Sequence, residues 1–339
     1  MNYKTFAYIA ALIAIFSVVS TAYMYYYYEG RIADMRSKIG TLESEIAGLR
    51  GELYKYRNLT LVDDRGYVLN LTSYPERIVS LAPSNTEILF AVGAGDRVVG
   101  VTNQCNYPYN FSAWVEAGNM SSVGDYWTPN IEAIVALKPD LIIAAFAQEE
   151  VVNRLRGMGY KVLVLDPENI NDVLRDILLV GRATDRGVEA AVLVNDLRRR
   201  IDLVVSKVSG AARPKVYYEV WYDPIWSVGS ESWENELIEM AGGTNIFADQ
   251  KLKYFQASSE AIIERNPDVI ILPMGHGAGP PFWGSLDQVR SRPGWNLISA
   301  VQKDRIYTID ADIISRPGPR IVDALETLAE IIHPELFES

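Results

Sequence analysis

Cysteine and histidine are almost missing from this chain of 339 residues. A single cysteine, Cys105, excludes an internal disulfide framework and any CxxC metal site. Two histidines, His276 and His333, are too few for a direct zinc or manganese carrier, which needs clustered imidazoles and carboxylates. His276 lies in the glycine-rich segment GHGAGPPFWG and reads as a loop residue. His333 precedes Pro334 and reads as a helix-end residue. Positive charge is also in deficit: the formal net charge of −11 argues against nucleic acid as a partner. The phosphate-binding, dinucleotide, zinc-protease and hydrolase-elbow motifs are all absent, so no catalytic residue is assigned and no enzyme is expected.

What the chain does have is a repeat. Residues Glu132 to Ile143 read EAIVALKPDLII and residues Glu260 to Ile271 read EAIIERNPDVII, with seven of the twelve positions identical. Each copy predicts a short helix, opening near Thr128–Pro129 or near Ser258–Ser259 behind a capping hydroxyl. Pro139 and Pro267 end those helices, because proline cannot continue them. A run of branched apolar residues then predicts a buried strand, Leu141–Ile143 and Val269–Leu272. Two copies predict two similar lobes, and clefts between lobes bind ligands.

Two segments precede the lobes. Residues 5–28 carry no charge and are long enough to span a bilayer, with Tyr23 and Tyr25 to Tyr28 as an interfacial belt. The alternative is a cleaved signal peptide ending near Ser20-Thr21-Ala22. Lys4 before the span and Arg31, Arg36 and Lys38 after it weigh slightly against an external C-terminal part. Residues 31–57 then carry a heptad. Ile32, Ile39, Ile46 and Leu53 fall at a; Met35, Leu42, Leu49 and Tyr56 fall at d. This pattern favours a parallel dimer, with Lys38–Glu43, Glu45–Arg50 and Glu52–Arg57 as opposite charges across the seam. A single amphipathic helix lying on the globular part is the other reading.

Beyond the heptad, alternation around Asp63-Asp64-Arg65-Gly66 predicts a hairpin over Leu59 to Leu71. Strands are expected from Arg77, at Val98–Val101, Leu141–Ala145 and Val162–Leu165, with helices between them. Ser84 or Asn85 would cap the first of those helices, with Glu87 in its first turn. Residues 185–208 read as the connecting helix, with Val188, Val192, Leu197, Ile201, Val204 and Val208 on one face. Lys215–Val220, Val269–Leu272 and Arg305–Ile309 are strands of the second lobe; Glu231–Met240 and Arg320–Ile332 are helices. The fold class is therefore α/β: two similar lobes, each a mainly parallel sheet covered by helices, joined by one long helix. The expected order is an anchor over 1–29, a stalk over 30–57, a lobe over 58–184, a connector over 185–210 and a lobe over 211–339. The sequons at Asn58, Asn70, Asn110 and Asn119 point, weakly, to an external surface.

The stretches RIVSLAPSNTEILFAVGAGDRVVGVTNQCNYP, VGDYWTPNIEAIVALKPDLIIA, WSVGSESWENELIEMAGGTNIFAD and SRPGPRIVDALE resemble the substrate-binding proteins of ABC importers, in the cobalamin and iron-siderophore group. The resemblance covers roughly Thr60 to Leu328. It implies two lobes joined by one rigid helix, and an extracytoplasmic protein held at the cell membrane. It implies that Glu132 and Glu260 dock on basic sites of a permease dimer, which works with ATPase subunits. It implies that Tyr126, beside Trp127, faces the ligand from the first lobe, that Trp226 and Tyr254 face it from the second, and that Gln104 and Arg316 are polar rim groups. Tyr126 stands where cobalamin binders often show tryptophan, and Gln104 where an aromatic is common. The ligand implied is a metal chelate, a corrinoid or ferric siderophore, with haem as the alternative. No resident cofactor or metal site is implied. A scaffold or sensor of the same fold without a ligand is the remaining alternative.

Overall fold

The computed structural model describes residues 20, 24–46, 48, 59–275 and 286–337. The chain divides into two units, residues 1–58 and 59–339. In the first unit a helix, α1, covers residues 24–46. Its seam residues Ile32, Met35, Ile39, Leu42 and Ile46 are all exposed. Leu49, Leu53 and Tyr56, and most of the apolar stretch 5–28, lie outside the described residues. Among the described residues no helix is long and apolar enough to cross a membrane.

The second unit opens with the expected hairpin, β1 (Leu59–Val62) against β2 (Val68–Leu71). Asp63 closes its turn: the carboxylate accepts from the amides of Arg65 at 3.0 Å and Tyr67 at 2.8 Å. The first lobe then runs β3 (Ile78–Ser80), α2 (Pro83–Ala91), β4 (Val98–Val101), α3 (Phe111–Glu116), β5 (Ser121–Ser122), α4 (Ile131–Ala136), β6 (Leu141–Ala145), α5 (Glu149–Gly157), β7 (Val162–Leu165) and α6 (Ile170–Ala183). Its five strands are parallel in the order β5-β4-β3-β6-β7. After the connecting helix α7 (Gly187–Val208) come β8 (Lys215–Tyr222), β9 (Ile225–Val228), α8 (Trp233–Met240), β10 (Thr244–Asn245), β11 (Tyr254–Gln256), α9 (Ser259–Arg265), β12 (Val269–Met274), α10 (Leu286–Arg290), α11 (Ser299–Gln302), β13 (Ile306–Asp310), α12 (Ala311–Ile314) and α13 (Ile321–Ile332). In the second sheet β10, β12 and β13 join β8 in parallel, directly or in turn; β9 and β11 extend it as an antiparallel ribbon. Thus β8, β12 and β13 stand where β3, β6 and β7 stand in the first lobe.

The repeat has a structural meaning. Asp140 accepts from the amides of Glu76 and Arg77 at 2.8 and 2.9 Å, just before β3. Asp268 accepts from the amide of Lys215 at 3.0 Å, where β8 begins. Each Asp therefore pins the first strand of its lobe to the strand it heads. The residue before each proline, Lys138 or Asn266, is left-handed, with φ of 49° and 46°. The second helix is capped by Ser258 as expected; the first is capped by Asn130, whose side chain accepts from Ala133 N, and not by a hydroxyl near Thr128. Neither Ser84 nor Asn85 caps α2. Pro83 fills its first turn and Ala82 precedes it with no side-chain cap.

Alternate strand residues feed different cores, as the two-residue period of a strand requires. Leu141 and Ile143 of β6, and Val269 and Ile271 of β12, join one core that also contains α7. Ile142 and Ala144 face a second core within the first lobe, and Ile270 and Leu272 a third within the second. On α7 the buried stripe is Ala190, Val194, Leu197, Ile201, Val204 and Val208. Val188 and Val192 are exposed, contrary to the expected face. The stripe starts instead at small Ala190, where α6 comes so close that a Cβ on Gly181 would overlap Ala190. Further along, Arg200 Nε donates to Glu326 Oε1 of α13 at 2.9 Å. The connector thus packs on both lobes. His333 ends α13, its ring donating from Nε2 to the Gly242 carbonyl at 3.2 Å. His276 lies outside the described residues.

Candidate functional site

Parallel strands send the loops after their C-terminal ends to one edge, where α/β proteins bind ligands. In the first lobe that edge carries Gln104 after β4, Tyr126 and Trp127 after β5, Phe146 and Gln148 after β6, and Asp166 after β7. These residues hold one another. Gln104 donates to the Asp125 carboxylate and accepts from Tyr126 N at 3.0 Å. Asp125 also accepts from Trp127 N at 2.8 Å. Buried Gln148 donates to the carbonyls of Tyr126 at 2.6 Å and Leu81 at 2.7 Å. The Tyr126 and Trp127 rings meet edge to face, 4.9 Å apart. Burial, with the charge of Asp166 adding to it, pushes the Tyr126 hydroxyl up to about 12. Trp127 stands 65% exposed, as a ring without a protein partner on its outer face would.

In the second lobe the candidates lie on the β9–β11 ribbon. Gln256 pairs with Trp226 and Tyr254 with Val228. Positions two apart share a face, so Trp226 and Tyr254 belong to one face of the ribbon. Both are partly exposed, at 37% and 38%. The Tyr254 hydroxyl donates to Glu234 Oε1 at 3.0 Å. Glu234 is buried, and its other oxygen has no hydrogen-bond partner. Burial pushes its carboxyl up to about 7, and burial with the Glu234 charge raises the Tyr254 hydroxyl far above its ordinary range.

One segment links the two sets. Asp166, which acts on Tyr126, is followed by Glu168, which pairs with Lys253 at 3.6 Å, next to Tyr254. Gln104, Tyr126 and Trp127 thus share the C-terminal edge of the first sheet, while Trp226 and Tyr254 share one face of the second lobe's ribbon. Arg316 differs. Its side chain is only 8% exposed and is seated in the contact between the lobes, bound to Glu87 and Asp312. The sequence reading also passed over four exposed apolar residues at strand ends: Phe146, Trp221, Tyr222 and Met274. Their signal was available, since each sits at or just past the end of a branched or aromatic run.

The chain matches the periplasmic binding protein family over residues 78–313. It belongs to that family. An ABC transporter substrate-binding lipoprotein of Bacillus subtilis is 33% identical over 289 residues, 83% of this chain and 87% of the relative. The solved periplasmic vitamin B12 binding protein of Vibrio cholerae superposes with a TM-score of 0.64 at 28% identity, over 78% of this chain and 99% of that one. A possible iron-binding periplasmic solute-binding protein of Staphylococcus epidermidis gives 0.66 at 32% identity, over 77% and 100%.

In this periplasmic binding protein Glu132 lies in the first turn of α4 and Glu260 in the first turn of α9. Both are exposed, and neither carboxylate has a hydrogen-bonding or ionic partner among the described residues. The fold makes no use of them beyond a favourable place at a helix N-terminus.

Proposed function

We propose that this protein captures a large metal chelate, a corrinoid such as cobalamin or a ferric siderophore, outside the membrane and delivers it to an ABC permease dimer with its ATPase subunits. The reading rests on two aromatic pairs, Tyr126 with Trp127 in the first lobe and Trp226 with Tyr254 in the second, which we place on opposite walls of one cleft. Aromatic faces suit a large ligand with a broad apolar surface, held by dispersion and stacking. Gln104 supplies an amide for the ligand's polar edge, and Arg316 acts on the site through the Gln104 backbone. The relatives support the class of ligand: one is a vitamin B12 binding protein and one a possible iron-binding protein. The work is recognition and delivery, without catalysis.

Two measurements test this. The absorption spectrum of protein purified from its native source is expected to show a corrinoid or ferric chromophore; a colourless protein that binds neither cyanocobalamin nor a ferric hydroxamate would refute the reading. Trp226→Ala and Tyr254→Ala are each expected to weaken ligand binding by about 1–3 kcal/mol through lost aromatic burial. Titration calorimetry giving parent affinity in both variants would place the pocket elsewhere.

The proposed layout keeps residues 1–29 as a membrane anchor and 30–57 as a stalk, with lobes over 58–184 and 211–339 around the connector 185–210. The only cysteine, Cys105, is buried between Thr86 and Thr102, so it offers no thiol for lipid attachment. The asparagines of three sequons, Asn70, Asn110 and Asn119, are exposed, in keeping with an external surface. The exposed stripe on α1 suits a second copy of itself. Ile39→Asn with Ile46→Asn is expected to turn the dimer into a monomer in sedimentation, because two polar a positions remove most of a short seam. An unchanged mass would rule out the coil as the contact.

A further inference from the structure

Glu87 is the one carboxylate of α2, and it is buried in the lobe–lobe contact rather than exposed in a first turn. Two arginines reach it from the far end of the chain. Arg320 approaches as a fork, Nε to one oxygen at 2.9 Å and a terminal nitrogen to the other at 2.7 Å. Arg316 lies 3.3 Å from Glu87 and 2.6 Å from Asp312. Two carboxylates and two guanidiniums balance, as buried charges must. A glycine at 318 lets this loop pass close over the start of α2: a Cβ there would stand 3.5 Å from Glu87 Oε2 and from the Ser84 carbonyl.

The same network grips the loop that carries Gln104. Arg316 donates to Asn106 Oδ1 at 2.7 Å and to the Gln104 carbonyl at 3.4 Å. Asn106 donates in turn to Asp312 Oδ2 at 2.7 Å. The Arg320 guanidinium stacks on Tyr107, 4.1 Å from the ring centre. The Gln104 side chain, at the other end of this loop, sets Tyr126 through its backbone amide.

We propose that Glu87, Arg316, Arg320 and Asp312 form a positioning lock for the cleft. It ties the lobes together at one side and, through Asn106 and the Gln104 carbonyl, holds the 102–107 loop in the form that presents Tyr126 and Trp127. Glu87, Arg316 and Asp312 are buried and engaged with one another, so the four are given a positioning role rather than a ligand contact. The proposal rests on the cleft being the ligand site, but its first readout needs no ligand.

The test is amide hydrogen exchange by mass spectrometry on the full chain, followed by titration with cyanocobalamin. Glu87→Gln is expected to speed exchange in residues 102–107 and 125–127, and to weaken cyanocobalamin binding about tenfold, a coupling of ordinary size between linked sites. Glu87→Asp keeps the charge and is expected to recover most of the protection. Should Glu87→Gln fail to fold, Asn106→Ala cuts only the link to the loop; it is expected to speed exchange in 102–107 while α2 stays protected. Exchange at parent rates in both peptides of Asn106→Ala, or faster exchange confined to α2 and α13 in Glu87→Gln, would overturn the proposal. Failure of the parent protein to bind cyanocobalamin bears on the ligand and leaves the exchange result standing.

Discussion

Replacing Glu132 and Glu260 together by arginine is expected to abolish uptake while ligand affinity stays at the parent value. The two residues are exposed, without partners among the described residues, and equivalent in the two lobes, so on the proposed function each would meet one subunit of a permease dimer. Exposed pairs of this kind are worth only about 0.2–1 kcal/mol each, and deletion alone would be mild. Reversal is harsher, because it sets like charges face to face and suppresses productive encounter. Each single variant is expected to transport at a reduced rate. Uptake of labelled ligand in cells, alongside binding to the purified protein, separates the steps. Weakened ligand binding in the double variant would give these residues to the pocket or the fold instead.

Asp176→Asn is expected to stabilise the protein, increasingly so as pH rises. Asp176 of α6 is fully buried, and among the described residues no hydrogen-bond donor reaches either carboxylate oxygen. Arg175, at 3.7 Å, is too far for one and is itself bound to Asp64 and Asp172. Burial, then the charge of Asp64, pushes the Asp176 carboxyl from 3.8 up to about 9. A carboxyl raised in the folded state supports stability fully below its unfolded value and loses that support as pH climbs through the folded one. The parent should therefore soften between about pH 4 and pH 9. The asparagine variant has no charge to bury and can donate to Asp64. At pH 9 it is expected to be more stable by about 1–3 kcal/mol, the ordinary cost of an unsatisfied buried polar group. Glu234 also loses support up to about 7, but equally in parent and variant, so it cancels from the difference. A difference in Tm that stays flat with pH, or a less stable variant at pH 9, would contradict this account.

Most strands were legible because their apolar runs are bounded by polar or glycine residues. Val98–Val101, Leu141–Ala145 and Val162–Leu165 fall where the pattern puts them. Caps were less legible, since Pro83 and Asn130 compete with nearby hydroxyls that look equally suitable. The β9–β11 ribbon escaped notice because a three-residue strand, Tyr254–Gln256, has no period to detect. Glu87 and Arg316 show the deeper limit. Sequence displays a charge but not its burial, and the partner of this glutamate lies 229 residues away. Such a group reads as a helix-end acid or a rim cation until the chain is folded.

The β9–β11 ribbon has no counterpart in the first lobe, whose frame is complete without it. Nothing in the paired β8, β12 and β13 scaffold depends on which side chains the ribbon turns outward. A lineage could therefore exchange its aromatic residues for others and acquire a different cargo, while Glu132 and Glu260, the proposed permease contacts, would stay in place on α4 and α9. On the proposed function, the second-lobe share of cargo recognition, Trp226 and Tyr254, and the permease contacts, Glu132 and Glu260, lie on different elements that can diverge separately.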